Sequence, residues 1–193
     1  MPPLVLASTS PYRRALLARL RVPFEAIAPR CDEAAVARLG LPADALTTTL
    51  ARMKAQSVHA RRPEALVLGS DQVVELDGDI LGKPGDAAGA RAQLARLAAR
   101  THRLVTAVTL LGPGGFEASR LVVHSMQMRA LSPEAIARYV DAEQPIDCAG
   151  SYKIEGLGVA LFERMQGDDC TAIEGLPLVQ VVALLGEAGV AVP

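Results

Sequence analysis

The chain has 193 residues, of which 50% are hydrophobic and 21% are charged, and its formal net charge is −1. This length and composition predict one globular domain with a substantial core, over residues 1–193, and argue against a disordered chain. The near-zero net charge provides no global field for nucleic acid or for an anionic membrane. We therefore expect neither as a partner, and any bound anion must be held by a local arrangement of groups.

The cysteines and the first residues favour a reducing, cytoplasmic location. Cys31, Cys148 and Cys170 have no metal-ligand or redox spacing, and a sparse, odd set is typical of free thiols. The three histidines have no metal-ligand spacing either. The opening MPPLVLAS has no basic region and too short an apolar run for a signal peptide. No segment approaches the about 18 consecutive apolar residues that a membrane-spanning helix needs.

The predicted elements alternate between strands and helices. Short apolar runs indicate buried strands, and apolar residues three and four positions apart indicate helices. In chain order the sequence predicts a strand at 4–7, a helix from Ser10-Pro11, a strand at 24–28, a helix at 42–59, a strand at 66–69, a hairpin at 73–82, a helix at 87–100, paired strands at 104–111 and 120–128, a helix from Ser132-Pro133 and a closing helix at 173–185. This order predicts an α/β fold with a mixed, twisted central sheet flanked by helices.

Residue choices at three turns and helix starts support these boundaries. Ser10 before Pro11 and Ser132 before Pro133 have the residue types of a helix N-cap and a first helical position. Asp77-Gly78 is a strong hairpin signal, because both central residues of the favoured turn need a positive φ. No repeat, low-complexity tract or linker divides the chain.

The start of the first predicted helix carries positive charge where acidic residues are expected. A helix N-terminus has positive partial charge and unpaired N–H groups, so Arg13 and Arg14 are repelled there unless an anion is present. Arginine also has the geometry to grip phosphate oxygens. The segment indicates a phosphate-binding corner in which Ser8 and Ser10 take part. The alternative is that both arginines extend into solvent at a small cost.

A carboxylate and a lysine are predicted to meet after the central strand. Asp71 follows the apolar run 66–69, and ligands in α/β proteins collect at such strand ends. The hairpin then returns the chain toward Asp71 at Gly82-Lys83-Pro84. A carboxylate beside a lysine suits a metal-assisted attack on phosphate, and an ordinary ion pair is the alternative. Taken singly, Glu33 and Lys54 have the residue types of a solvated surface.

Several short motifs lie along the chain in a fixed order. They are STSPYRRALL from Ser8, Asp32-Glu33, Lys54-Ala55, Ser70-Asp71-Gln72, Gly82-Lys83-Pro84, CAGSYKIEG from Cys148 and GLPL from Gly175. Together they resemble the Maf family of nucleotide pyrophosphatases, also called septum-formation-inhibitor-like proteins. The order and spacing agree from Leu4 to about Leu185, which is nearly the whole chain.

The resemblance implies a reaction, a cofactor and a set of site residues. The reaction is hydrolysis of a small-molecule nucleoside triphosphate to the monophosphate and pyrophosphate, with Mg²⁺ or Mn²⁺, in a house-cleaning role against modified nucleotides. The implied architecture is ITPase-like, with two lobes and a cleft between them, and a homodimer is the family expectation. The implied residues are Asp71 as catalytic base and metal ligand, Glu33 as a second metal ligand, and Ser8, Ser10, Arg13, Lys54 and Lys83 for the phosphates.

Three positions bear on the choice of base. Tyr12, Gln72 and Glu155 resemble the branch of the family that acts on 7-methyl-GTP. A methylated guanine ring is positively charged and is attracted to an aromatic face, and a carboxylate can accept hydrogen bonds from guanine N1–H and its amino group. The alternative for the trio is structural, with Tyr12 packed at the helix start and Glu155 paired with Lys153 or an arginine. Alternative functions are a dTTP/UTP pyrophosphatase of the same family and a non-enzymatic, nucleotide-binding regulator of cell division.

The chain departs from the family pattern in two places. Thr106-Ala107 stands where many members have Thr-Gly, and Asp168-Asp169-Cys170-Thr171-Ala172 replaces the usual Asp-Tyr-x-Asn stretch before GLPL. Contacts that the usual residues make in the family, to substrate or across a dimer, are not expected here without change.

Overall fold

Strands and helices alternate along the chain, as the sequence predicts. The structure, a computed structural model, describes residues 2–192. The strands are β1 (Leu4–Leu6), β2 (Phe24–Ala26), β3 (Leu66–Leu76), β4 (Asp79–Leu81), β5 (Thr101–Gly112), β6 (Phe116–Met128) and β7 (Phe162–Gln166). The helices are α1 (Pro11–Ala18), α2 (Glu33–Ala37), α3 (Ala43–His59), α4 (Ala87–Leu97), α5 (Pro133–Glu143), α6 (Cys170–Ile173) and α7 (Leu178–Glu187). Over residues 2–192, no helix has both the length and the apolar character to cross a membrane.

The strands form one mixed sheet. Its order is β2-β1-β3-β5-β6-β7, and β4 pairs with β3 beside this path. Strand β1 is parallel to β2 and to β3, with Leu4 opposite Leu66 and Leu6 opposite Leu68. The pairs β3–β4 and β6–β7 are antiparallel. The predicted α/β class with a mixed central sheet flanked by helices is confirmed, and α2 and β7 are elements that the sequence patterns did not predict.

The chain divides into two compact units. Unit 1 contains the residues up to Asp71, residues 106–122 and the residues from Asp169 onward, and unit 2 contains residues 72–105 and 123–168. Strands β3, β5 and β6 contribute residues to both. The two-lobed architecture with a cleft that the resemblance implies stays a prediction. The assignment of residues 1–193 to a single domain stays a prediction.

In unit 1, helices cover both faces of the sheet. Successive strand residues point to opposite faces, so each strand supplies two layers of apolar side chains. On one face, Leu4, Leu6, Leu66 and Leu68 pack with side chains of α1 and α7, among them Leu16, Leu17, Val181 and Leu184. On the other face, Val5, Ala7 and Val67 pack with Ala55 and Val58 of α3. The side of β3 on which a residue lies therefore decides which helix it meets.

Strand β3 is longer than the sequence predicts. The predicted strand ended at Gly69, but the structure has one continuous strand through Gly-Ser-Asp-Gln to Leu76. The prediction that Asp71 stands at the end of a strand is therefore wrong. Gly, Ser and Asp are poor strand formers, and pairing within a buried sheet overrides that preference. The hairpin after it is confirmed, with φ of 53° at Asp77 and 88° at Gly78.

The predicted closing helix at 173–185 is interrupted, because α6 ends at Ile173 and α7 begins only at Leu178. Gly175 breaks the pattern with a φ of 116°, and Pro177 follows as the cap residue of α7. Asp169, only 1% exposed, stabilises the break. Its Oδ1 accepts from the Thr171 amide at 3.1 Å and the Thr171 hydroxyl at 2.6 Å, and its Oδ2 accepts from the Val179 amide at 2.8 Å. The segment that departs from the family pattern thus ties α6 to α7.

We expect Asp169→Ala to lower the free energy of unfolding by about 3 kcal/mol, because three donors lose a charged, buried acceptor. Asp168→Ala, which removes the exposed neighbouring carboxylate, is the matched control and is expected to change stability by less than about 0.5 kcal/mol. Urea denaturation followed by circular dichroism measures both variants. Equal effects of the two substitutions would contradict the role given to Asp169.

In unit 2, α4 packs against α5, and three rings form an aromatic cluster. The cap of α5 is confirmed, since Ser132 Oγ accepts from the Ala135 amide at 3.2 Å, and Tyr139 on its inner side is buried. The rings of His102, Tyr152 and Phe162 have centroids 4.9–5.9 Å apart. His102 Nε2 lies 3.1 Å from the Tyr152 hydroxyl. Burial lowers the pKa of His102 from 6.5 to about 4, so the folded protein holds this ring neutral.

The pKa of His102 predicts a stability that falls in mild acid. Below pH 6.5 the unfolded chain binds a proton on this ring that the folded chain does not bind until the pH reaches about 4. The stability linked to His102 is therefore complete above pH 6.5 and is lost as the pH falls toward 4, with a total of about 3 kcal/mol. We expect His102→Gln to flatten the fall in unfolding free energy over this range. Urea titrations from pH 7 to pH 4 measure it, and parallel curves for both proteins would contradict the assignment.

Candidate active site

Lys54 of α3 lies between two carboxylates of unit 1. Its Nζ is 2.6 Å from Asp71 Oδ1 on β3 and 2.8 Å from Glu33 Oε2 at the start of α2. The Lys54 and Asp71 side chains are 8% and 10% exposed, whereas Glu33 is 48% exposed. Lys54 is therefore buried rather than solvent-facing. The structure brings these three site residues together, and their roles stay predictions.

Gly69 explains why a helix lysine can reach a strand carboxylate. Gly69 and Asp71 lie on the same face of β3, two residues apart, and this face carries α3. A Cβ at Gly69 would overlap the Ala51 carbonyl oxygen and lie 2.7 Å from the Ala55 amide nitrogen. Only glycine allows the α3 backbone to come this close, which places Lys54 against Asp71. An isolated glycine within an apolar strand signals such an approach, so the sequence does indicate that another backbone comes close at Gly69.

The two adjacent acids before α2 have different roles. Asp32 is the N-cap, and its Oδ1 accepts from the Ala35 amide at 2.9 Å. Glu33 is the first helical residue and extends to Lys54. Because the cap fixes where α2 begins, it also fixes the backbone position from which the Glu33 side chain extends.

The corner before α1 uses its two serines to pair backbone amides. Ser8 Oγ accepts from the Ser10 amide at 3.1 Å, and Ser10 Oγ accepts from the Arg13 amide at 3.4 Å. Ser10 is thus the N-cap and Pro11 the first helical residue, as predicted. A hydroxyl that accepts in this way still has its own O–H to donate. The corner therefore offers hydroxyl donors, and its binding of phosphate stays a prediction.

Arg13 and Arg14 occupy different environments. Arg13 is partly buried and its Nε donates to the Gly175 carbonyl at 2.9 Å, an oxygen that also accepts from Ser70 Oγ at 3.4 Å. Arg14 is exposed. Burial lowers the pKa of Arg13, while the charges of Asp71 and Glu33 act to raise it. The solvent alternative holds for Arg14 and is wrong for Arg13, whose positive charge lies within the field of both carboxylates.

Three further residues, to which the sequence patterns assign no role, belong to this site. Ser70 and Gly175 orient Arg13 through the shared carbonyl, and Cys31 lies near the carboxylates. Burial raises the pKa of the Cys31 thiol, and the charge of Glu33 raises it further. A neutral thiol at this position adds no negative charge to a site that would receive phosphate. Nothing in the local spacing of these residues predicts the association.

The other predicted residues are distributed over both units. Tyr12 lies in the first turn of α1, partly buried, in unit 1. Gln72 is a partly buried residue of β3, Lys83 is exposed after β4, and Glu155 is exposed in a turn before β7; all three belong to unit 2. Their roles, and the convergence of Lys83 on Asp71, stay predictions.

The carboxylate pair fits a metal that also binds substrate. In the part of the chain that the structure describes, no three His, Cys, Asp or Glu side chains gather as a ready-made metal site. Glu33 and Asp71 nevertheless reach one common cation, the Lys54 ammonium. Mg²⁺ is usually held by one or two carboxylates together with substrate phosphates. The donor set matches that pattern and does not match an all-protein cage.

Comparisons with known proteins agree with the motifs. A family model described as Maf-like protein matches residues 3–188. Over the full length of both chains, this chain is 51% identical to a protein of Xanthomonas campestris and 46% identical to one of Pseudomonas aeruginosa, each named 7-methyl-GTP pyrophosphatase. An Albidiferax ferrireducens protein of the same name is 47% identical over 98% of this chain and 94% of its own.

Among solved structures, a nucleoside-triphosphatase / dITP/XTP pyrophosphatase of Mycobacterium abscessus covers 67% of this chain and 75% of its own. The sequence identity is 18% and the TM-score is 0.42, and these values are too low to support an inference about this chain. The family model covers nearly all of the chain, and the curated relatives match it from end to end. The chain belongs to the Maf family.

Proposed function

We propose that this protein hydrolyses a nucleoside triphosphate to the monophosphate and pyrophosphate, with 7-methyl-GTP as its preferred substrate. The observation that carries the proposal is the buried Lys54 bridge between Asp71 and Glu33, with Arg13 in the field of both carboxylates. Family membership and the names of relatives near 50% identity support it. The role is house-cleaning, the removal of a modified nucleotide before it is used.

In the proposed reaction, Asp71 is the general base. Water attacks the α-phosphorus, the Asp71 carboxylate accepts its proton, and the bond from the α-phosphorus to the bridging oxygen breaks as pyrophosphate leaves. Lys54 and Arg13 offer positive charge for the developing negative charge on the phosphate oxygens. Lys83 has the same role by resemblance.

We propose a divalent cation, Mg²⁺ or Mn²⁺, as cofactor. Glu33 and Asp71 would hold it, because both already reach a single cationic group. When bound, such a cation neutralises phosphate charge and makes a bound water more acidic. The protein holds the carboxylates of Glu33 and Asp71 close together around Lys54, and the close approach of α3 to β3 at Gly69 makes this possible.

The proposed base selection assigns Tyr12, Gln72 and Glu155 to the 7-methylguanine ring. An aromatic face favours the positively charged ring, and a carboxylate accepts from the two donors on the guanine edge. The structural alternative for Glu155 is a pair with Lys153 or an arginine. Lys153 Nζ lies 3.2 Å from the Glu143 carbonyl and 3.5 Å from Asp147 Oδ1.

A substrate panel tests this function. Purified protein with Mg²⁺ or Mn²⁺ is assayed for pyrophosphate release from 7-methyl-GTP, GTP, dTTP and UTP, with kcat/KM as the measure. We expect 7-methyl-GTP to be the best substrate. Faster turnover of dTTP and UTP would establish the pyrimidine alternative, and nucleotide binding without turnover under any metal would establish the non-enzymatic regulator.

A further inference from the structure

A turn in unit 2 presents Glu155, and the end of α5 fixes that turn at several points. Residues 153–158 form the turn, in which the amides of Gly156 and Gly158 donate to the Lys153 carbonyl at 3.2 and 2.9 Å. Glu155 is exposed and lies between Lys153 and Gly156 in the chain. In a short turn of this kind, the position of the central side chain is fixed only if contacts hold both ends of the turn.

The first end of the turn is held by Tyr139 and by the C-terminus of α5. The Lys153 amide donates to the Tyr139 hydroxyl at 2.9 Å, and Tyr139 is buried. The Lys153 ammonium donates to the carbonyl oxygens of Glu143 and Gln144 at 3.2 and 3.4 Å. A cation at the negative end of a helix is stabilising, so Lys153 is both the start of the turn and the C-terminal partner of α5.

The second end of the turn is held by the Glu143 side chain. Glu143 Oε1 accepts from the Leu157 amide at 2.9 Å. A Cβ on Gly156 would lie 2.7 Å from Glu143 Oε2 and 2.8 Å from Oε1. The turn therefore lies directly against this carboxylate, and glycine at 156 is what permits the contact. Glu143 is the last residue of α5 and holds the backbone that follows Glu155.

We infer that Glu143 is a positioning residue that holds the 153–158 turn so that Glu155 can recognise the guanine edge of the substrate. The inference rests on the proposed function and deepens it, because it names a residue behind the base selection. Glu143 itself contacts backbone, not substrate. A base-recognition carboxylate on a mobile turn would lose entropy on each binding event, and a turn already fixed to α5 avoids that cost.

The test compares Glu143→Ala with Glu143→Gln, since the glutamine carbonyl can still accept from the Leu157 amide. Asp141→Ala is the control, because it removes another carboxylate of α5, which forms a surface pair with Arg91. The measure is the ratio of kcat/KM for 7-methyl-GTP to that for UTP, which offers only one ring N–H. We expect Glu143→Ala to lower this ratio about tenfold, mainly through KM for 7-methyl-GTP, and Glu143→Gln and Asp141→Ala to keep it within about threefold.

Two further measurements separate positioning from general damage. Adding Glu155→Gln to Glu143→Ala is expected to lower the ratio no further than Glu155→Gln alone, because both changes disable one function. Hydrogen exchange of the Leu157 amide is expected to accelerate in Glu143→Ala, whether or not nucleotide is turned over. A wild-type ratio in Glu143→Ala, multiplicative losses in the double variant or unchanged Leu157 exchange would each overturn the inference. If the wild-type protein does not turn over 7-methyl-GTP but Leu157 exchange is accelerated in the variant, the proposed function is overturned. The contact by which Glu143 holds the turn would still be established.

Discussion

Asp71→Asn is expected to lower pyrophosphate release from 7-methyl-GTP by about 1,000-fold, because an amide cannot accept the proton of the attacking water. Asparagine has nearly the same shape, and Lys54 keeps its second carboxylate partner, Glu33, so the fold should be retained. The loss is therefore expected in kcat, with KM changed much less. Steady-state kinetics with coupled pyrophosphate detection measures both, and circular dichroism confirms the fold.

Asp79→Asn is the matched control for this prediction. Asp79 lies at the start of β4 in an exposed ion pair with Arg96, so the same chemical change there should leave turnover within about twofold, as surface substitutions usually do. Retained turnover in Asp71→Asn would remove Asp71 as the base. Equal losses in both variants would show that the change in charge, and not the position of the carboxylate, caused the effect.

Lys54→Met is expected to impair both stability and activity. The substitution leaves the buried Asp71 carboxylate without its cation, and breaking a buried pair from one side costs about 3–5 kcal/mol. It also removes one of the positive charges proposed to stabilise pyrophosphate as it leaves. Urea denaturation gives the first effect, and kcat/KM for 7-methyl-GTP gives the second.

A double variant separates the two effects of Lys54. Lys54→Met combined with Asp71→Asn removes both charges of the pair, so part of the lost stability should return, while turnover stays as low as in Asp71→Asn. Lys54→Met with wild-type stability would show that the bridge at 2.6 and 2.8 Å has no energetic role. A double variant less stable than Lys54→Met alone would contradict the account of an unpaired buried carboxylate.

Local chemistry in the sequence predicted the starts and turns of the fold. Ser10 with Pro11, Ser132 with Pro133 and the Asp77-Gly78 turn are interactions among residues close in sequence, and the structure confirms each. Strand β3 through Asp71 could not be predicted in this way. Its middle residues are poor strand formers, and they are held in the sheet by partners distant along the chain.

The candidate site shows the same limit. Taken singly, Glu33 and Lys54 are indistinguishable from surface residues, and only the family resemblance groups them with Asp71. Their meeting depends on the close packing of α3 on β3 at Gly69; the isolated glycine signals a close approach but does not identify the helix that makes it. The Arg13 guanidinium is likewise fixed by the Gly175 carbonyl, 162 residues away in the chain. The charge pattern of the first helix predicted a binding role for this arginine but not the group that orients it.

Hydrolysis in water labelled with oxygen-18, followed by mass spectrometry of both products, tests the central claim most directly. Attack on the α-phosphorus predicts that the label enters 7-methyl-GMP and that the released pyrophosphate carries none. Label in pyrophosphate or in free phosphate, or no turnover of 7-methyl-GTP with either metal, would contradict the claim that this protein is a nucleoside triphosphate pyrophosphatase acting on 7-methyl-GTP.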